Sequence, residues 1–348
     1  MTHSRAVAAV AATIPFLCPP AGAQDTPAPV KSLGVVTVTG GQPTSLPTQI
    51  PTTTEGITRE QIDRTINAQD SEDVLKYFPS LLVRKRYPGD YNHAILSSRA
   101  SGTGNSARSL VYADGILLSN LLGNGVGGLG FPPRWGLVTP EEIERVDVMY
   151  GPFSAAYPGN SVGAVVDYVT RMPRQFEGHA AASYSISPFS LHGVESTFRS
   201  WQTSASLGNR AGDWTWWFNV NRSDSEGQAL TFPTRLVSSG NPAGAGVPVT
   251  GAVLTRNSAD QPWYILGDAT QYKTRQDHLK VKLAYDLPGS VRAAYTFGWW
   301  ENKSLGRSTS YLRDAGGNTV TDGPVRIEGL VFAPLSGADF PLTDEGLT

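Results

Sequence analysis

Residues 279–300 read LKVKLAYDLPGSVRAAYTFGWW, and their spacing decides what the chain builds. Leu279, Val281, Leu283 and Tyr285 alternate with Lys280, Lys282, Ala284 and Asp286. Pro288 and Gly289 then mark a tight turn. Beyond it Val291, Ala293, Tyr295, Phe297 and Trp299 alternate with Arg292, Ala294, Thr296, Gly298 and Trp300. A period of two means extended strands with one apolar and one polar face.

The same pattern recurs toward the N-terminus. Trp214, Trp216, Phe218 and Val220 alternate with Thr215, Trp217, Asn219 and Asn221. Trp201, Thr203, Ala205 and Leu207 alternate with Gln202, Ser204 and Ser206, and a weaker version covers 180–186. That makes about five strands, with no strong one expected beyond Lys303. A soluble sandwich would share the alternation. The connections differ from those of a sandwich: tight turns at 209–213 and 288–289 contrast with a long polar insertion at 226–271. Strands of about ten residues, short turns at one end and long loops at the other predict an antiparallel transmembrane β-barrel wall. Trp214, Trp216, Trp299 and Trp300, near strand ends, suit its interfacial girdles.

Composition agrees. Of 348 residues, 17% are charged and 40% hydrophobic, with 37 Gly, 25 Pro and 33 aromatic residues (8 Trp, 13 Tyr, 12 Phe), which favours a turn-rich β chain over disorder. The net charge of −2 gives no footprint for nucleic acid. No apolar run reaches the roughly 18 residues of a membrane helix. The single Cys, Cys18, excludes an internal disulfide or a Cys zinc cluster. It lies in an apolar stretch from Ala6 that follows Arg5 and precedes Ala21-Gly22-Ala23. Residues 1–23 therefore read as a secretory signal peptide cleaved near Ala23.

Residues 24–54 form a Pro-, Thr- and Gly-rich flexible segment with one apolar island: Leu33, Gly34, Val35, Val36, Thr37 and Val38. The island suits pairing with a partner's sheet edge or a first strand of the next domain. Residues 55–173 predict a compact mixed α/β domain. Thr58 with Gln61 is a capping box, Asp70 caps a second short helix before Pro79, and Thr139-Pro140 starts a third. Short apolar runs at 81–83, 110–112, 146–150 and 164–169 read as strands. Residues 101–109 and 120–135 read as Gly-rich loops, which in a compact domain are usually functional or mobile.

Ile143-Glu144-Arg145-Val146-Asp147-Val148, then Gly151-Pro152, Tyr157, Gly159 and Gly163, resembles the plug of TonB-dependent outer-membrane receptors. So do the close Thr170-Arg171-Met172-Pro173, the strand-D-G step Val111-Tyr112-Ala113-Asp114-Gly115, and Asp73-Val74-Leu75 with Phe78-Pro79. The resemblance runs from about Leu33 to Pro173. Arg99-Ala100, Tyr150, Pro158 and Asp167 depart from the family pattern, which bears on local plug geometry and on any Arg-based plug-to-barrel contact. The resemblance implies a plug at 55–173, the N-terminal part of a barrel at 174–348, and a TonB box at Leu33 to Val38. A barrel enclosing such a plug needs about 22 strands. The chain is therefore expected to be the front part of a longer protein or a truncated product.

The function so implied is tight binding of an extracellular ligand, a metal chelate such as a ferric siderophore. Import into the periplasm would be driven by TonB and its inner-membrane energising complex, with outer-membrane lipid around the barrel. Candidate apical ligand contacts are Tyr87, Tyr91, Arg108, Phe131, Arg134 and Trp135, since aromatics and Arg suit a partly apolar or anionic ligand. Contact with the inner barrel wall is the competing role for all six. A passive porin, an adhesin or a non-transporting fragment are rival classes.

Other motifs carry less. Gly159-Asn160-Ser161-Val162-Gly163 matches a nucleophile elbow but runs into a strand rather than a helix. Gly125 to Gly130 matches G-x-G-x-x-G yet precedes Phe131-Pro132-Pro133. His93, His179, His192 and His278 lack ligand spacing, so no metal site is expected. No enzymatic activity, cofactor or nucleic-acid partner is expected.

Overall fold

The computed structural model describes residues 44–47, 50, 52–91, 93–100, 108–119, 132–151, 157–159 and 161–347, with 343–347 as backbone. The signal peptide, the island Leu33 to Val38, Gly125 to Gly130 and Phe131 lie outside the described residues.

The first unit opens with β1 (Thr54–Thr58) running into α1 (Arg59–Thr65). The expected capping box forms, with the Thr58 amide donating to Gln61 Oε1 at 2.9 Å. A 3-10 turn, Ser71–Leu75, replaces the second helix. Next come the paired strands β2 (Leu81–Val83) and β3 (Leu96–Ser98). After them β4 (Ser109–Ala113) and β5 (Ile116–Leu117) flank Asp114 and Gly115. Both turn residues have positive φ, 48° and 80°, as a two-residue hairpin loop of this kind requires.

The start at Thr139 caps only one 3-10 turn, Pro140–Glu142, before β6 (Ile143–Tyr150) begins. The side chains explain this shortness. Ile143, Val146 and Val148 are wholly buried in the sheet core, so the chain straightens as soon as Ile143 is reached. With β7 (Ala164–Thr170) the sheet order is β1-β6-β7-β4-β5, antiparallel except for β4 beside β7. One face packs Val111, Val146, Val166 and Tyr168 on Ile62, Leu75 and Leu96. The other carries a smaller cluster of Leu46, Leu110, Met149 and Val165.

Beyond Pro173 the chain becomes a meander of long strands: β8 (Glu177–Leu191), β9 (Val194–Ala211) and β10 (Trp214–Glu226). The insertion that follows is folded rather than loose. It holds β11 (Thr234–Leu236), β12 (Val247–Pro248), β13 (Val253–Arg256) and β14 (Pro262–Ile265). The meander resumes with β15 (Gly267–Leu287) and β16 (Val291–Ser310). A second insertion carries β17 (Gly323–Ile327) and β18 (Leu330–Leu335), and β19 (Thr343–Leu347) returns to pair with β16. The large sheet has the order β19-β16-β15-β10-β9-β8, and its two outer strands do not pair with each other. The barrel is thus open.

The expectation that no strong strand follows Lys303 is corrected. β16 continues to Ser310 and three more strands follow. Apolar alternation ends earlier than the strand, because the outward row turns into Glu301, Lys303 and Arg307. The long polar insertion at 226–271 is not a plain loop either. Instead Val249, Tyr264 and Leu266 from the first insertion share a core with Leu312, Val325, Phe332 and Leu335.

Which face is covered separates barrel from sandwich. Trp214, Phe218, Leu283, Leu287, Val291 and Tyr295 are exposed by 40% or more. Their polar alternates Thr215, Asn219, Asn221, His278, Lys280 and Lys282 are buried. A soluble sandwich buries the apolar row. Here the polar row faces the first domain and the apolar row faces away, the arrangement of a wall bathed in lipid.

Candidate functional site

The first domain meets the large sheet along β15, whose inward row reaches across at three heights. At the end with short turns, Lys282 Nζ donates to Asp114 Oδ2 at 2.9 Å, to Thr170 Oγ1 at 2.7 Å and to the Arg171 carbonyl at 3.2 Å. Asp114 also accepts from the Thr170 amide at 2.8 Å. Burial pushes the Asp114 carboxyl upward, but Lys282 and the Thr170 donors outweigh it, so it sits below the usual carboxylate range. One ammonium group thereby ties the D-G turn to the end of β7, where the chain leaves for the barrel.

Midway, Lys280 Nζ donates to Glu142 Oε1 at 2.8 Å and to the Leu137 carbonyl at 2.6 Å. Glu142 is fully buried, and its Oε1 also accepts from the Thr139 amide at 2.8 Å. Asn219 Nδ2 donates to Thr139 Oγ1 at 2.7 Å from the neighbouring strand. At the end with long loops, Gln276 Nε2 donates to the Gly89 carbonyl at 3.1 Å, and Gln228 Nε2 to the Arg86 carbonyl at 3.0 Å. The sequence showed Lys280 and Lys282 only as members of a polar row. A Lys-x-Lys pair on the covered face of a strand whose other face is apolar, where each charge needs a partner, was the available signal.

Close by lies a buried acidic group. Lys85 Nζ bridges Asp70 Oδ2 at 2.6 Å and Asp73 Oδ2 at 2.7 Å. Burial lowers the Lys85 pKa, but Asp70, Glu72 and Asp73 together raise it above the usual lysine range. Glu72, 3% exposed, has its pKa pushed well above the usual carboxylate range by burial and then by the Asp70 charge.

The predicted apical residues separate. Tyr91 is buried, its ring centroid 5.0 Å from that of Trp300, and its hydroxyl accepts from Arg134 Nη1 at 2.9 Å. Tyr87 is buried where β10 ends, so close that a Cβ on Gly227 would meet its ring at 2.7 Å. Trp135 is 3% exposed; its Nε1 donates to the Ala94 carbonyl at 2.7 Å and its ring meets Tyr168 edge-on. It is a core residue with no face to offer a ligand. Arg134 is half-buried and Arg108 is exposed at the start of β4, the end of the first domain's sheet away from Asp114. The structure brings Tyr91, Arg134 and Trp135 together, Tyr87 to the same rim, and leaves Arg108 apart.

A crevice of about 30 Å³ separates domain and wall, lined by Glu72, Tyr91, Gln276, His278 and Trp300 among others. It has room for one or two water molecules and not for a chelate. Ser161 is 3% exposed, and the strand β7 follows it rather than a helix, which removes the nucleophile-elbow context.

The profile of the TonB-dependent Receptor Plug Domain matches residues 47–165. No curated protein matches the chain significantly in sequence. Among solved structures, a mutant of the ferric enterobactin receptor from Pseudomonas aeruginosa in complex with enterobactin aligns with 17% identity and a TM-score of 0.46, over 76% of this chain and 34% of that one. The siderophore receptor PirA from Acinetobacter baumannii aligns with 14% identity and a TM-score of 0.42, over 73% of this chain and 40% of that one. The ferripyoverdine receptor of the outer membrane of Pseudomonas aeruginosa gives 14% and 0.38, over 80% and 37%. The chain spans about a third of the length of the first solved structure it matches.

Proposed function

We propose that this chain, whose residues 47–165 match the TonB-dependent receptor plug domain, works as part of an outer-membrane receptor that imports a metal chelate with energy supplied through TonB. The observation that carries the reading is the inverted wall: plug against the polar row, apolar row outward. Such a plug blocks the lumen at rest, so passage of a ligand requires that the plug shift or rearrange. The contacts from Lys280 and Lys282 are what that movement has to release.

The apical set is narrowed to the two groups that keep a charged head at least partly exposed. Arg134, oriented by Tyr91, and Arg108 supply positive charge, which suits an anionic ferric chelate such as a siderophore complex. Phe131 stays in the proposal as an apolar contact. Leu33, Gly34, Val35, Val36, Thr37 and Val38 are proposed to add a strand to a sheet edge of TonB.

Removing residues 33–38 tests the reading. Cells carrying the deletion should keep surface binding of an iron-55-labelled catecholate or hydroxamate chelate and lose its accumulation. Unimpaired accumulation would instead favour a passive pore.

A further inference from the structure

The outward row of the wall changes character just above its apolar band. Val220, Leu279 and Trp299 are in register and form the last apolar rung. The next rung is Arg222, Asp277 and Glu301, followed by Asp224, Arg275 and Lys303, and then by Glu226, Lys273 and Leu305. Arg307 occupies the following outward position on β16. On β15 and β16 the apolar band spans 279–287 and 291–299, close to the 9–11 residues a tilted membrane strand uses. The charged rungs therefore stand at the boundary of the band, on the side of the long loops.

Pairing within them is uneven. Arg222 is matched to Asp277 by hydrogen bonds of 2.6 and 3.0 Å. Arg275 and Lys303, by contrast, face each other directly across β15 and β16. Like charges directly opposite in a sheet are destabilising. Their acidic neighbours only partly offset this: Asp224 is 3.4 Å from Arg275, Glu301 is 2.9 Å from Lys303, and Glu226 is 3.8 Å from Lys273. The side chains of Lys273, Arg275 and Lys303 remain 46%, 55% and 63% exposed, all on the outward face.

We propose that Lys273, Arg275, Lys303 and Arg307 form a docking site for the phosphate groups of a lipid headgroup in the leaflet that borders the long loops. A phosphate laid between Arg275 and Lys303 turns a repulsive pair into two charge-assisted contacts, and the guanidinium fork matches its oxygens. The acyl chains of the same lipid then run down Leu279, Val281 and Trp299. The phosphate sits about 13 Å higher along the strand, four residues from Leu279 at the usual rise. Continuity of the cluster with the apolar band selects a lipid over a soluble anion. The inference rests on the reading of the apolar face as lipid-facing.

The test is native mass spectrometry of the full chain, extracted from outer membranes in mild detergent. It is titrated with a bis-phosphorylated diglucosamine lipid, with the same lipid stripped of phosphate, and with inorganic phosphate alone. The natural chain should retain the phosphorylated lipid about tenfold more tightly than the stripped one, and Arg275→Gln with Lys303→Gln should abolish that preference. Arg307→Gln alone, at the exposed end of the cluster, should weaken it about threefold and serves if the double variant misfolds. Equal retention of both lipids, unchanged retention by the variants, or inorganic phosphate binding as tightly as the lipid would each overturn the site. Failure to partition into membranes at all would instead count against the lipid-facing reading.

Discussion

Lys282 Nζ and Asp114 Oδ2 meet at 2.9 Å across 168 residues of sequence, joining the barrel wall to the turn between β4 and β5. Lys282 is almost buried, while the Asp114 side chain keeps 27% exposure and two donors from Thr170. Truncation of Lys282 therefore leaves its carboxylate partner better supported than truncation of Lys280 leaves the fully buried Glu142. Lys280→Ala is expected to cost about 3–5 kcal/mol of plug docking, and Lys282→Ala less. The readout is hydrogen exchange at the Thr139 and Thr170 amides, which donate to Glu142 and Asp114 respectively. Pairing Lys280→Met with Glu142→Gln should restore most of the loss, since removing both partners spares a buried lone charge. Equal protection in all variants would show that neither contact holds the plug.

Glu72 sets a pH dependence of its own. Its folded pKa lies above the unfolded value, so the native plug holds a proton that the unfolded chain gives up above about pH 4.3. Between that pH and the raised folded value, stability falls as pH rises. Glu72→Gln, which keeps the shape without the titration, should flatten this slope and make the plug more stable than the natural one at alkaline pH. Chemical denaturation of the full chain at several pH values measures it; parallel curves for both proteins would refute the assignment.

Trp135 and Arg134 are adjacent in sequence and opposite in expectation. Trp135→Ala opens the core beside Tyr168 and Ala94 and should cost about 3–5 kcal/mol, lowering the amount of folded protein. Arg134→Ala leaves that core intact and should reduce affinity for an anionic ferric chelate at normal abundance. Quantitative blotting beside a binding isotherm separates the two, and unaltered affinity in Arg134→Ala would remove it from the ligand site.

The rows at 214–220 and 279–299 were legible because each alternate residue is apolar and the strand period is fixed by geometry. The face they present was not, since alternation says that two faces differ and not which one is covered. The upper part of β16 was hidden for a related reason: Glu301, Lys303 and Arg307 continue the strand while ending the apolar pattern. The insertion core was hidden by distance, because Leu266 and Phe332 belong to separate loops and neither short apolar run says which partner covers it. Thr139 promised a helix and delivered one turn, because its cap is local and the demand of the sheet for Ile143 is not. The same contrast covers the site. Trp135 looked like an apical aromatic, and only the fold shows Ala94 and Tyr168 around it.

The two faces of β15 also discipline assembly. A slip of one residue against β10 or β16 would turn Lys280 and Lys282 into hydrocarbon, at about 2–4 kcal/mol for a lysine at the midplane and less for Lys280 at the edge of the band, and would aim Val281 at Glu142. A slip of two restores the faces but carries Lys280 away from Glu142 and Lys282 away from Asp114. Lipid therefore polices odd errors of alignment and the plug polices even ones, so a strand inserted before its plug is in place has only half of its proofreading.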